Sequence, residues 1–199
     1  MLIEKLKNQE LVLENNRALL KPFTVLDIKP LQKLFYDEVL EHFELILDDK
    51  ADKFEEYINY LIKISEYSHI ISFVCFDKQQ NQIVGVTQLK YIDFHNKKLE
   101  IGGTWYGKDF QRTGFNKACK QVLFDFCFEV LKMRRIQFSI DVDNIVSQKS
   151  MLKLGAKQEG LLRNNWVDAS GKSRDDYYYS ITIEDWDELK GTLFRGFYE

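Results

Sequence analysis

Proline is scarce in this chain, with 2 in 199 residues. With an apolar fraction of 45%, that scarcity excludes a disordered or low-complexity polypeptide. No self-similar period suggests a repeat solenoid. The three cysteines, Cys75, Cys119 and Cys127, lack metal-ligand spacing and lie in apolar surroundings, so they read as buried free thiols in a reducing compartment. The three histidines, His42, His69 and His95, are scattered, and no metal site is expected. No stretch approaches the roughly 20 apolar residues of a membrane span. The start, MLIEKLKNQE, has no apolar core of the signal-peptide kind. A cytoplasmic location without membrane association is the default. A net charge of −3 argues against direct nucleic-acid binding by the surface as a whole. Also missing are GxGxxG and GxxxxGK[ST], the dinucleotide and P-loop fingerprints.

What is present is a core-forming composition, with 15 Phe and 10 Tyr, enough for one globular domain over residues 1–199. A first strand is expected over Leu11–Lys21. Asp27 can cap a helix that carries Leu31, Leu34, Phe35 and Val39 on one side, with Pro30 tolerated in its first turn. A second helix is expected from Ala51 to Glu66. A hairpin follows, Ser72–Phe76 and IVGVTQL around the polar turn DKQQNQ, then a strand near Tyr91 and another over Leu99–Trp105. A helix over Asn116–Leu131, a strand over Arg135–Asp141 and a short helix over Ile145–Leu154 stopped by Gly155 come next. Strands near Gly160–Val167 and Asp176–Ile183 flank the polar loop DASGKS. The tail after Trp186 reads as strand or irregular. Hairpins followed by strand–loop–helix–strand–helix give a mixed α/β (α+β) sheet with helices on both faces, not a serial βαβ fold.

The run FQRTGFN, Phe110 to Asn116, carries the most chemical information. It puts a glycine loop just before an apolar-periodic helix. Such a loop turns several backbone N–H groups toward one point, where the helix start adds about half a positive charge. The alternative is a plain turn that needs positive φ at Gly114. Arg112, Lys117 and Lys120 stand near enough in sequence to add charge, or are ordinary solvated cations.

Three blocks, EIGGTWYGKDFQRTGFNKACKQVLFDFCFE, RRIQFSIDVDN and NIVSQKSMLKLGAKQEGLLRN, resemble the GCN5-related N-acetyltransferases (GNAT). More narrowly, they are similar to the branch that acetylates ribosomal-protein N-termini. Gln111, Gly114 and Asn116 match the family loop Gln/Arg-x-x-Gly-x-Gly/Ala, with Asn116 in place of the usual small residue. The resemblance implies a sheet with splayed central strands and acetyl-CoA as cofactor. It places the pyrophosphate on the N–H groups of Gln111, Arg112, Thr113, Gly114, Phe115 and Asn116. Pantetheine would lie between the strand of Trp105 and Tyr106 and the strand at Phe138–Ile140, bonded to backbone like an added strand. Asn144 would sit near the pantetheine amides and Ser147 near the thioester sulphur. As plain structure, Asn144 is a helix cap with Ser147 at its third position. Lys153 is a candidate for a cofactor phosphate. Glu100 matches a frequent acidic position and is either the base or a substrate anchor. No tyrosine matches the family's proton donor in the Ile145–Leu154 helix.

The expected activity is acetyl transfer to an amine, with a protein α-amino group first in line. Making such a group neutral at pH 7 costs about 1 kcal/mol, against about 4–5 for a lysine. A small amine such as a polyamine or antibiotic is the second reading, and a non-catalytic acyl-CoA-binding protein the third. Tyr178, Trp166 and Arg163 are candidates for the acceptor rim, and Phe35, Tyr36 and Phe43 for its wall. A homodimer is an assembly that the resemblance allows.

Overall fold

The computed structural model describes residues 10–41, 43, 52–67, 69–168 and 170–198. Eight strands form one sheet in the order β1-β2-β3-β4-β5-β6-β8-β7. They are β1 (Leu13–Glu14), β2 (Ala18–Pro22), β3 (Ile71–Asp77), β4 (Gln82–Asp93), β5 (Lys98–Tyr106), β6 (Arg135–Asp141), β7 (Lys157–Val167) and β8 (Ser173–Thr182). Every neighbouring pair is antiparallel except β5 and β6, which are parallel. The expected mixed sheet is therefore present.

The first strand divides in two. Asn15 Oδ1 accepts from the N–H groups of Arg17 and Ala18 at 2.9 and 2.7 Å and closes a tight turn between β1 and β2. The single early helix is also broken. Helix α1 is only Ile28–Gln32, and a 3-10 turn, Asp37–Leu40, follows an extended Tyr36. Asp27 serves a capping box instead, accepting from the Thr24 N–H and hydroxyl, both at 2.9 Å. Helix α2 (Lys53–Ser65) starts at Asp52, whose carboxylate accepts from the Glu55 N–H. It buries Phe54, Tyr57, Ile58, Leu61 and Ile64 at helical spacing.

Helix α3 (Phe115–Asp125) runs on into a π turn, Phe126–Val130, and α4 is Ile145–Lys153. At the C-terminus the expectation of strand or irregular chain fails. Helix α5 (Ile183–Gly191) starts with a Thr182–Asp185 capping box and buries Trp186 completely against Phe124, Phe128 and Phe194. Gly155, after α4, has φ +88 and lies where a Cβ would fall 2.5 Å from Leu189 Cδ2, so only glycine fits.

The apolar residues separate into two clusters, one on each face of the sheet. The larger joins strands from both halves to α3, its π turn, α4 and the C-terminal aromatics. The smaller joins α1, the 3-10 turn and α2 to Val74, Val86 and Trp105 of β3, β4 and β5, and contains no residue of β6, β7 or β8. Half of the second face therefore carries no apolar layer among the described residues.

Candidate active site

The ladder between β5 and β6 is short. It holds three pairs, Lys98–Arg135, Leu99–Ile136 and Glu100–Gln137. Beyond Glu100, β5 stays paired to β4 as far as Tyr106, while β6 stays paired to β8 as far as Asp141. The two strands therefore part, as the sequence led us to expect, and leave unladdered main chain along a gap.

At the mouth of the gap, Arg112 (φ +60) and Gly114 (φ +85) both take the left-handed conformation. Gly114 is the N-cap of α3 and supplies no side chain to the first-turn N–H groups, of which that of Phe115 reaches Thr113 Oγ1 at 3.4 Å. Residues 111–114 are exposed, and a Cβ on Gly114 would meet only Arg17 Nη1 at 3.3 Å. The loop is thus an open concavity of N–H groups at a helix start, a fit for a diphosphate.

Thr113, Gly114 and Asn116 line the loop and its helix. The Phe115 ring is fully buried in the larger cluster, so only its backbone faces the loop. Asn116 is not the helix cap. It lies in the first turn, donates to Ser150 Oγ at 2.9 Å and accepts from the Tyr106 hydroxyl at 3.2 Å, which ties β5, α3 and α4 together across the gap. The Gln111 amide turns to the other side, donating to the Tyr36 hydroxyl at 2.6 Å and to the Tyr106 carbonyl at 3.2 Å.

Trp105 and Tyr106 point to opposite faces. Trp105 Nε1 donates to the buried Tyr57 hydroxyl at 2.8 Å, inside the smaller cluster with Phe35. Tyr106 packs edge-on to Phe115 in the larger one. Asn144 caps α4, its side chain accepting from the Ser147 N–H at 3.0 Å. Ser147 is half-buried and Lys153 exposed.

Lys120 does not reach the loop. It is buried on the inner side of α3, donating to Thr104 Oγ1 at 2.8 Å and Thr87 Oγ1 at 3.2 Å, and burial pushes its ammonium pKa down. Cys75 and Cys119 lie beside it with sulphurs 3.9 Å apart, and all three cysteines are buried and free. Leu152 on α4 is 52% exposed.

Glu100 sits where the strands part, only 3% exposed. Its Oε1 lies 3.3 Å from Lys90 Nζ, and its Oε2 accepts from Gln137 Nε2 at 3.4 Å. Its side chain shares the α2 face with Trp105. The alternation slips between them at Gly103 (φ +53), where the β4–β5 register shifts. Across the gap, strand alternation puts Gln137, Ser139, Asp176 and Tyr178 on this same face. Asp176 is buried and accepts from the Trp166 indole and Asn165 amide, both at 3.0 Å, and from the Ser139 hydroxyl.

Sequence reasoning missed Arg17. Its guanidinium donates to the Thr113 carbonyl at 2.9 Å and to its hydroxyl at 3.4 Å, and pairs with Asp77 at 3.2 Å. It fastens the β1–β2 turn to the loop. His42 lies outside the described residues; among those described, no group of three metal-ligating side chains occurs. No helix among the described residues is long and apolar enough to cross a membrane.

A mixed sheet that parts beside a glycine-started helix defines a transferase fold of the acetyltransferase class. The chain belongs to the acetyltransferase (GNAT) domain family, whose model matches residues 17–157. The "Uncharacterized N-acetyltransferase p20" of Bacillus licheniformis is 31% identical over 104 residues, covering 52% of this chain and 57% of that protein. The "Putative ribosomal N-acetyltransferase YdaF" of Bacillus subtilis (strain 168) is 30% identical over 108 residues, covering 54% and 58%. The matched segment thus spans little more than half the length of these curated relatives. Among solved structures, a "putative acetyltransferase" from T. thermophilus superposes with a TM-score of 0.82 at 27% identity, covering 92% of this chain and 95% of that one.

Proposed function

We propose that this protein transfers acetyl from acetyl-CoA to the α-amino group of a protein N-terminus, with ribosomal proteins the first class to try. The observation that carries the acyl-carrier part is the three-pair ladder between β5 and β6, which opens directly onto the uncapped start of α3. The loop N–H groups from Arg112 to Asn116 would hold the diphosphate, that of Gln111 already donating to the Lys108 carbonyl at 3.3 Å, and the unladdered edges of β5 and β6 would hold the pantetheine arm as an added strand. The bound thioester supplies the acyl group, and the chain positions the amine.

Glu100 is the carboxylate at the fork and is the residue we assign to the proton leaving the amine, directly or through water. Lys90 and Gln137 fix its orientation. Ser147 and Asn144, at the start of α4, border the thioester end, and Lys153 is within the same helix for a cofactor phosphate.

The choice of a peptide over a small cation is supported by the half-face that the smaller apolar cluster does not reach among the described residues. Beyond the gap, β6, β8 and β7 contribute nothing to the smaller apolar cluster, and residues 157–164 of β7 are exposed. Ser139 and Tyr178, both partly exposed, border the gap there beside the buried Asp176 cluster, and an extended chain could lie across them. The name of the Bacillus subtilis relative points the same way.

The test is an acetyl-transfer screen with ribosomal-protein N-terminal peptides and a panel of small amines that includes spermine. Peptide turnover exceeding every small amine in kcat/KM is the expected result. Preference for a polyamine would remove the peptide assignment, and acetyl-CoA binding without transfer to any amine would remove the enzyme.

A further inference from the structure

Next to the gap, a row of polar side chains crosses β3, β4, β5 and β6 on the α2 face. Ser72 pairs with Gln88, and Gln88 with Gly102; two residues along, Lys90 pairs with Glu100, and Glu100 with Gln137. Lys90, Glu100 and Gln137 satisfy one another. Gln88 is only half satisfied. Its side-chain N–H donates to Ser72 Oγ at 3.0 Å, but its carbonyl oxygen, in a residue 1% exposed, has no hydrogen-bond partner among the described residues.

Folded proteins rarely bury an acceptor this way without a ligand or a function to meet it. The oxygen is also aimed. It lies 2.2 Å from where a Cβ on Gly103 would stand, so it occupies the space that this glycine leaves open. Gly103 belongs to the stretch of β5 that has lost β6 as a neighbour. Gln88 therefore presents a fixed, dry carbonyl beside the parted strands, on the face that also carries Glu100 and opposite the face on which α3 packs.

We infer that Gln88 Oε1 is the positioning group for the acceptor amine, taking the N–H that the amine keeps. This rests on the acetyl-transfer reading above. A neutral primary amine brings one lone pair and two N–H bonds to the thioester carbon. The lone pair forms the new N–C bond, and the C–S bond breaks with its electrons on sulphur. One amine proton passes through Glu100 and ends on the thiolate, and the other stays in the product amide. One oxygen is needed for each proton, and the face supplies two. Gln88 orients the nitrogen, and the hydroxyl of Ser72 and the bare Gly103 orient Gln88. The site should thus select amines that carry two hydrogens.

The experiment compares wild type with Gln88→Met, similar in length and without the acceptor. The substrate is the best acceptor in the screen and the same compound N-methylated at its reacting amine. The expected result is that the acceptor KM rises about tenfold in Gln88→Met, the increment of one lost hydrogen bond. The preference of wild type for the primary over the N-methyl amine should shrink by a similar factor, while KM for acetyl-CoA stays unchanged. Calorimetric titration of the acceptor into CoA-loaded protein should show the same loss of affinity without turnover. Ser72→Ala should move the same quantities in the same direction by a smaller amount. An unchanged primary-to-secondary ratio in an active Gln88→Met enzyme overturns the inference and leaves acetyl transfer standing. A wild type that acetylates no amine overturns both.

Discussion

Two helices begin at the mouth of the gap, and they begin in opposite ways. Helix α4 is closed by its own sequence, because Asn144 accepts the Ser147 N–H and so commits the site to the fold. Helix α3 starts at a left-handed glycine with no side chain to offer, in an exposed loop. Both helix starts carry the same partial positive charge. Gly114 leaves more of it available at α3, where Thr113 Oγ1 reaches the Phe115 N–H at a long 3.4 Å, and under the proposed function that weak capping is what makes this helix start a binding site. The fold compensates from outside, since Arg17 holds the loop through Thr113 without filling it.

That contrast can be broken from either side. Gly114→Val should have the largest effect. A β-branched side chain is forced into positive φ within the concavity, and acetyl-CoA affinity should fall about a hundredfold, roughly 2.7 kcal/mol. Calorimetry reads this directly, and an unchanged Kd would remove the diphosphate from this loop. Glu100→Gln comes next. The variant should lose about a hundredfold in kcat, at the low end of general-base effects, with cofactor affinity held. Full turnover at neutral pH would take the proton role away from Glu100.

Arg17→Ala sharpens the comparison, because it loosens the open helix start without touching the closed one. Acetyl-CoA should bind about tenfold more weakly in titration, in line with a lost charge-assisted contact of about 1.5 kcal/mol. Asn144→Ala should show the reverse balance. Loss of the cap should cost about 1 kcal/mol of stability, or roughly 2–4 °C in Tm, with a change in cofactor affinity of less than about threefold. A large affinity loss with no thermal shift would instead make Asn144 a ligand group. Smallest is Ser150→Ala, which cuts the Asn116 tie between the helices and should change affinity by no more than about twofold.

The sequence was most legible where a local rule decides the outcome. Strand β6 falls on the expected residues because Arg135–Asp141 alternates between the faces and ends at a helix cap. The glycine loop was visible because a glycine just before an apolar-periodic helix marks a left-handed helix start, and Gly114 has φ 85. Residues whose meaning depends on distant chain were not legible. Arg17 lies 96 positions from Thr113, and nothing in its neighbourhood marks it. The importance of Gln88 depends on a register shift at Gly103 that alternation alone does not reveal. The tail after Trp186 reads as strand or irregular chain, although Thr182 and Asp185 form a capping box just upstream. Packing of Trp186 under α3 decides that segment, and such long-range burial overrides weak local preference.

The short ladder at Leu99 leaves the two halves of the sheet joined at one end, and what lodges between them is met mainly by peptide groups. Peptide groups are common to every sequence. Mutations that preserve the course of these strands leave the gap unaltered, so under the proposed function descendants of an ancestral gene can diverge freely in side chain and still accept the same acyl carrier. The face beyond the gap, built of side chains, has no such protection. On the proposed function it is where a new acceptor can be acquired by a few substitutions, with the chemistry inherited intact.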